Sequence, residues 1–488
     1  MTSRVFYIFL SLFFLIINFS VSDIKINFFQ RALFFIFFLV LFLFFRTINL
    51  NRILPILTGS ISTLIFIYGV VQKYILFPIY LNQLNSGTTE FSKAILVRIK
   101  SGRIFSVFQL PTLYTFICSI LLLIIFHYLL KSFSTRAKIF WGILFILGFY
   151  NLILTQSFAG VVYLLIGFPV YLKLSGYLSF KYLAPGIMVI LMFLFIITGL
   201  RFSEAKKFDP AKLRISNWSQ AARIIETTPF FGIGLGNYET KVPGYIYPGE
   251  AHSIYSHNFI LQFVAEGGIF LSLFLLSLLL IFRKKIRPAW SEENKLYISI
   301  LIIVIIYNMI DIGIYFFAPA LIFVITLSQL YPKEHQNLKI VIPFIILLSL
   351  LHLSLFFSSN YQKEANINLS YKNIKGSEEK FLKSLKFNPF NYKSLLGLST
   401  IKYLKGENEE ADKFLKRTIN LNHSIPFAHF MRSKILYSQR KLFSSLFHSF
   451  KAYSLNRENY EYKKWYLFLE KNLRANTIEK MSSPGAGR

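Results

Sequence analysis

Acidic residues are nearly missing from the first 200 positions, where Asp23 and Glu90 are the only two. Over the whole chain 16% of residues are charged, against roughly 25% in a soluble globular chain. So thin a supply of acids excludes a carboxylate-built divalent-cation site in that half. It also excludes an ordinary solvated surface. Cysteine is as scarce: Cys118 stands alone, inside an apolar run. One thiol makes neither a disulfide framework nor a cysteine metal cluster, and its surroundings read as membrane packing.

What fills the chain instead is apolar. Hydrophobic residues make up 54% of it, with 55 Phe. Apolar runs recur that reach the length of about 18 residues needed to cross a bilayer core. Eleven are counted, at 5–22, 28–45, 53–71, 112–130, 138–155, 157–173, 183–200, 258–282, 296–312, 314–330 and 339–357. Backbone in lipid must satisfy its own hydrogen bonds, which selects helices. The expected fold is all-α: a polytopic transmembrane helix bundle of about eleven or twelve spans. The first run resembles a signal peptide, but the second follows at once, so a retained span is expected.

The formal net charge of +30 raises nucleic acid as a partner. The position of the charges answers it. Arg46 and Arg52, then Lys131, Arg136 and Lys138, then Lys173 and Lys181, lie in short loops between apolar runs. So do Arg283, Lys284, Lys285 and Arg287, and Lys333 and Lys339. With alternating spans all five groups fall on one side, which the positive-inside rule makes cytoplasmic. No nucleic-acid partner is expected. The N-terminus is then cytoplasmic. Gln72 to Pro111, Arg201 to Ser256 and everything after Phe357 face the periplasm of a bacterial inner membrane.

After Phe357 the chain turns polar and periodic. Phe387-Asn388, Leu421-Asn422 and Leu455-Asn456 recur every 34 residues, with Leu385, Ile419 and Tyr453 in register. Tyr403 and Tyr437 also match, and Gly406 marks a turn. A helix-turn-helix period of 34 resembles the tetratricopeptide repeat. Second helices are expected at Glu378–Phe387, Glu409–Leu421 and Lys441–Leu455. Stacked units leave a concave surface, which offers a dock for a protein partner or an acceptor. From Tyr361 onward 24 basic residues face 11 acidic ones, which suits membrane lipid headgroups or a glycan phosphate. The expected division is 1–357 membrane domain with a periplasmic loop at 201–256, 361–475 helical repeats, and 476–488 a disordered tail.

The stretch 213–271 carries the chemistry. It holds Arg214 and Trp218, then Thr228-Pro229-Phe230-Phe231-Gly232-Ile233-Gly234-Leu235-Gly236-Asn237, then His257-Asn258 and Glu266-Gly267-Gly268. The glycine run has the look of a nucleotide-binding fingerprint, but the strand and βαβ unit that fingerprint needs are missing. A structural turn, or a turn whose amides approach a phosphate, is the reading left. The ordered set resembles the central segment of the O-antigen ligase and polymerase family, which also includes bacterial protein O-oligosaccharyltransferases. In that family an Arg and a Trp precede a Gly-rich turn, and a His-Asn pair opens the next span. The Glu follows the His by nine residues, as here. The likeness covers roughly Ser101 to Asp311.

The resemblance implies a membrane glycosyltransferase. A periplasmic enzyme has no nucleotide sugar at hand, so its donor is expected to be a glycan on polyprenyl pyrophosphate. The acceptor is a hydroxyl on a glycan, on lipid A-core or on a protein. Arginine suits the pyrophosphate, because it stays charged and offers paired donors. Arg214 is the first candidate. Arg103, in Arg103-Ile104-Phe105-Ser106, is the second, and Arg223 is expected to face elsewhere. Histidine suits removal of the hydroxyl proton near neutral pH. His257, at a span boundary, is favoured over His252 as catalytic base by its spacing to Glu266. Asn258 is expected to orient it or the acceptor, Asp311 to orient it or to serve as a turn residue between close spans, and Glu266 to be a buried hydrogen-bonding partner. Acids and histidines are too sparse for a metal set, so a metal-independent reaction without cofactor is expected, inverting if it is a single displacement. The sequence departs from the family at Phe158, where an Arg is common, and at Leu271, where a small residue is. Arg201, Arg103 or Arg98 is left to supply the missing charge. A transporter, flippase or membrane scaffold is the rival class, but no half-repeat of the transporter kind is visible.

Overall fold

The computed structural model describes residues 13–482 apart from 23, 87–95, 97–98, 109, 178–209, 248, 251–252, 284–290 and 333–337. Those residues form helices and turns, with no strand among them. The run at 183–200, residues 5–12 of the run at 5–22, and Arg98, Arg201 and His252 lie outside the described residues; 13–21 of that first run are helical.

The nine other runs are helices. They are α1 (Lys25–Phe45), α2 (Leu54–Val71), α4 (Pro111–Lys131), α5 (Thr135–Thr155) and α6 (Phe158–Leu174). The loop holds α7 (Pro210–Thr227) and the short α8 (Tyr238–Lys241), and after it come α9 (Phe259–Arg283), α10 (Glu292–Ile310), α11 (Phe317–Leu330) and α12 (Leu338–Ser370). Seven are long and apolar enough to cross a membrane, while α6 and α11 are shorter apolar helices. The chain is a multi-pass membrane protein. Helix α2 does not stop at Val71. A wide turn at Gln72–Leu76 carries it into α3 (Phe77–Asn85). The buried Gln72 side chain explains the extension: its Oε1 accepts from the Phe105 and Ser106 amides at 2.8 Å each, which pins the returning segment to the wide turn.

Helix α4 is the axis of the bundle. Every residue from Leu113 to Ile125 is buried, because α2, α5, α6 and α10 all pack on it. A helix apolar on all sides is stable only in such a place. Gly148 lets α5 close on α4 and α2, since a Cβ there would lie 2.9 Å from the Leu122 side chain and 2.7 Å from the Phe66 ring. Polar groups join the same helices: Tyr114 donates to Asn151 Oδ1 at 2.8 Å, and Asn151 donates to the Phe66 carbonyl at 3.1 Å. Such interhelical bonds act where lipid gives no hydrophobic drive between helices. The Cys118 thiol is buried and donates to the Gly148 carbonyl, a packing role. On the flank, α1 packs against α11 and α12.

Helix α12 runs 33 residues without a break, about 50 Å at 1.5 Å per residue. The border expected between Phe357 and Tyr361 falls inside it. Its last turns pack on α13 (Ile374–Phe387), followed by α14 (Tyr392–Leu404), α15 (Asn408–Leu421), α16 (Pro426–Ser438), α17 (Leu442–Leu455) and α18 (Tyr460–Ser482). Starts at 374, 408 and 442, and ends at 387, 421 and 455, keep the 34-residue period of the sequence. The second helices begin a few residues earlier than expected at Ile374 and close to expectation at Asn408 and Leu442. Each ends on an asparagine that caps it in extended backbone, Asn388, Asn422 and Asn456.

Candidate functional site

The site is built around a break in α9. Gly268 has φ 74° and ψ 173°, a region open in practice only to glycine. The break strips partners from helix amides and carbonyls at membrane depth, where each unpaired group costs several kcal/mol. The glycine-rich loop restores them. Ile233 and Gly234 donate to the carbonyls of Ala265 and Glu266 at 3.0 and 2.9 Å, and Ile269 and Phe270 donate back to Pro229 and Phe230 at 2.8 and 3.3 Å. Backbones meet so closely that a Cβ at Gly232 would lie 2.4 Å from the Glu266 oxygen. Leu235 donates to Asn18 Oδ1 and Gly236 to Glu266 Oε2, each at 2.9 Å. Four successive amides, Ile233 to Gly236, are thus spent inside the protein, and the run is a structural turn.

Glu266 is 1% exposed and fully engaged. Its carboxylate accepts from the Gly236 and Tyr238 amides at 2.9 and 3.3 Å, from the Tyr315 hydroxyl at 2.7 Å and from Gln262 at 3.4 Å. None of these partners is His257. The Arg31 guanidinium lies 4.1 Å over the Tyr315 ring. Sequence reasoning passed over Arg31 and Tyr315. Arg31 had a signal, being the one cation inside the run 28–45, since an intramembrane charge marks function by default. Tyr315 had none.

One layer away, His257 opens α9. Asn258 caps the helix, accepting from the Leu261 amide at 3.0 Å and donating to the Met309 carbonyl at 3.1 Å. His257 Nδ1 lies 3.1 Å from Asp311 Oδ1. A carboxylate only accepts, so Nδ1 carries the proton and Nε2 is left as the acceptor. Asp311 ends α10, and its Oδ1 also accepts from the Ile312 amide at 2.9 Å. The His257 side chain is 31% exposed and that of Asp311 8%: a reachable base on a buried acid.

Helix α7 (Pro210–Thr227) packs on α9 and brings Arg214. The Trp218 indole donates to the His257 carbonyl at 3.5 Å. Residues four apart share a helix face, so Arg214 stands one turn along on the face turned to His257. It makes no hydrogen bond or ion pair with the described residues, and its charge and that of Asp311 both act on Tyr163 and Tyr307. Arg223 is turned away: it pairs with Glu250 and lies 3.9 Å over the Tyr247 ring. Burial would push the Glu250 carboxyl up, but the Arg223 hydrogen bond and charge with the Tyr247 amide outweigh it and hold it below the carboxylate range.

His257, Asn258, Asp311 and Arg214 are therefore brought together, with Glu266 behind them. Arg103 stands at another junction, where its Nε donates to the Thr155 carbonyl at 3.1 Å, at the end of α5. Phe158 begins α6 at that junction. Among the described residues no three His, Cys, Asp or Glu side chains are grouped to hold a metal ion.

Residues 143–276 match the family described as O-antigen ligase. The match takes in Arg214, His257, Asn258 and Glu266. No curated protein matches the chain. Among solved structures, the first tetratricopeptide unit of Spaghetti bound to an HSP90 peptide is similar at 13% identity. It covers 25% of this chain and 95% of that one, with a TM-score of 0.24, too low to carry an argument.

Proposed function

The chain carries an O-antigen ligase family domain at residues 143–276, and from that premise we propose that it moves a glycan from polyprenyl pyrophosphate to an acceptor hydroxyl at the periplasmic face of the bacterial inner membrane. Membrane glycosyl transfer in O-antigen or related pathways is the work of the family. The observation that carries the finer reading is the His257 Nδ1–Asp311 bond, which leaves Nε2 bare on the exposed side.

In this reading the acceptor hydroxyl gives its proton to His257 Nε2 as its oxygen bonds the anomeric carbon. The bond from that carbon to the pyrophosphate oxygen breaks, and its electron pair leaves with polyprenyl pyrophosphate. Arg214 stabilises the charge that builds on the leaving oxygen, where a fixed cation acts most strongly. Asp311 holds the imidazole in one tautomer and stabilises the imidazolium. Asn258 fixes the entry to α9, and Glu266 locks the loop beneath it. One displacement inverts the anomeric centre. Arg103 holds the Thr155 carbonyl, three residues before Phe158 at the family's usual Arg position, and serves as a second phosphate ligand once that hold is exchanged. The division at 357 and 361 makes 1–357 the transferase and 361–475 the platform that receives the acceptor.

The test is glycan transfer in proteoliposomes containing purified protein, a lipid-linked glycan and a chelator. Lipid A-core and a pilin-like protein serve as separate acceptors. Product on one of them, lost in His257→Ala, names the reaction and the acceptor. Donor binding without product on either moves the assignment to the polymerase reaction, and no donor binding moves it to a transporter or scaffold.

A further inference from the structure

A cavity of 790 Å³ lies between α1, α12, the turn at Gly236–Glu239 and the loop joining α13 to α14. Small-molecule sites fall at about 300–1,000 Å³. Helix α1, the central loop and the repeat array meet here, and Lys393 ties array to loop by its 2.6 Å bond to Glu239.

The lining offers donors and acceptors together. Arg31 spends one N–H on the Tyr315 carbonyl at 3.5 Å and, with five donors on a guanidinium, keeps others. The Gln30 amide makes no hydrogen bond with the described residues and lines the cavity. Asn27 gives its amide hydrogens to Asn237 and Thr240, which leaves its oxygen as an acceptor. Glu239 has one oxygen beyond the Lys393 bond. His352 donates from Nδ1 to the Leu348 carbonyl at 2.8 Å, and its Nε2 is buried without a partner. Phe37 stacks on the His352 ring at 4.8 Å and forms an apolar wall.

A phosphate only accepts hydrogen bonds, and here it would face the Glu239 carboxylate and the Asn27 amide oxygen, which are acceptors too. A hydroxyl donates and accepts, so a ligand dense in hydroxyls matches the Gln30 and Arg31 donors and these acceptors together. We propose that this cavity is a sugar-binding site, taking a glycan between α1 and the first inter-repeat loop. Tyr315 is the partition: Arg31 covers its ring, and its hydroxyl is on Glu266. The sugar therefore lies one ring layer from α9, beside the transfer site and distinct from the pyrophosphate position. The proposal rests on the transfer reading only for the origin of the glycan, donor or acceptor.

The test is calorimetric titration of the full chain in detergent with two lipid-free probes. One is the oligosaccharide released from the lipid-linked donor, and the other is delipidated core oligosaccharide. The probe that binds names the source. Gln30→Ala and Lys393→Ala are each expected to weaken that binding about tenfold. Gln30 has no hydrogen bond to the described residues to lose, so its substitution tests binding without disturbing their packing. Failure of both probes to bind, indifference to both substitutions, or displacement of the sugar by inorganic pyrophosphate overturns the proposal. Since no donor lipid is present, a failed transfer assay with intact sugar binding counts against the transferase reading alone.

Discussion

His257 holds a left-handed backbone, φ 54°, which costs a β-carbon residue roughly 1–2 kcal/mol. That conformation turns the imidazole back onto Asp311 while α9 departs from Asn258. Loss of the base is expected to show in the chemical step: His257→Gln should lower the transfer rate by about 10²–10⁴-fold, with donor binding kept. Asp311→Asn should reduce kcat with little change in KM, because the acid acts through the ring. Unchanged kcat in that variant would remove Asp311 from the mechanism. Arg214→Lys keeps the charge and loses the paired donors. Its transfer should fall toward that of Arg214→Gln, and full activity in the lysine variant would mean that a point charge suffices.

At the scale of elements, two backbone devices decide the architecture. The α9 break and the glycine loop are one unit, each supplying the hydrogen bonds the other lacks. Gly268→Ala places a Cβ 2.2 Å from the Phe230 carbonyl oxygen. It should prevent assembly of the loop, read as loss of folded protein after extraction, whereas Gly142→Ala, with open space around it, should be neutral. The second device repeats in the array. Lys372, Gly406 and Arg440 all have positive φ, at 61°, 79° and 59°, one turn of the 34-residue period apart. Only the middle unit has the residue that adopts it freely. Arg440→Gly should therefore stabilise the array by about 0.5–1 kcal/mol, read as a higher thermal midpoint. A lower midpoint would mean that Arg440 contributes more through its side chain than its backbone costs.

At the scale of the whole molecule, the array carries a pH response of its own. His429 and His448 are buried, with Nδ1 atoms 2.8 Å apart. His429 Nε2 donates to the His423 carbonyl, so the proton between the rings belongs to His448. Burial lowers both, helped by Arg432 on each and by Lys451 on His429; the hydrogen bond to the His423 carbonyl opposes it at His429 and Asp412 opposes it at His448, which falls to about 4. The unfolded rings take up protons near their ordinary value of about 6.5, before the folded ones do. Stability from the pair is thus full above that value and is lost as pH falls toward about 4. Amide exchange in α16 and α17, corrected for intrinsic rate, should quicken between pH 7 and 5 more than in α13. Equal protection at both pH values would show that the folded pair takes up protons as readily as the unfolded chain. Orientation is testable on the same chain, since buried Cys118 gives no background. An impermeant maleimide added outside spheroplasts should label Arg440→Cys and spare Ser134→Cys.

Much of this was legible along the chain. Run length fixed the membrane helices, because a bilayer sets one length for every span. Local period fixed the array, because a stacked unit must repeat its buried positions at one spacing. Arg214, His257 and Glu266 could be singled out together because loop and helix signals lie close in sequence. What the chain could not tell was which polar groups meet across it. Asn18 serves the glycine loop, Arg31 covers Tyr315, Lys393 reaches Glu239, and Glu266 binds loop amides and Tyr315 while His257 takes Asp311. Each joins residues distant in sequence, and nothing in either partner's neighbourhood specifies the other. Only packing in a medium without water selects them, because there every buried polar group must find whichever partner the fold places beside it.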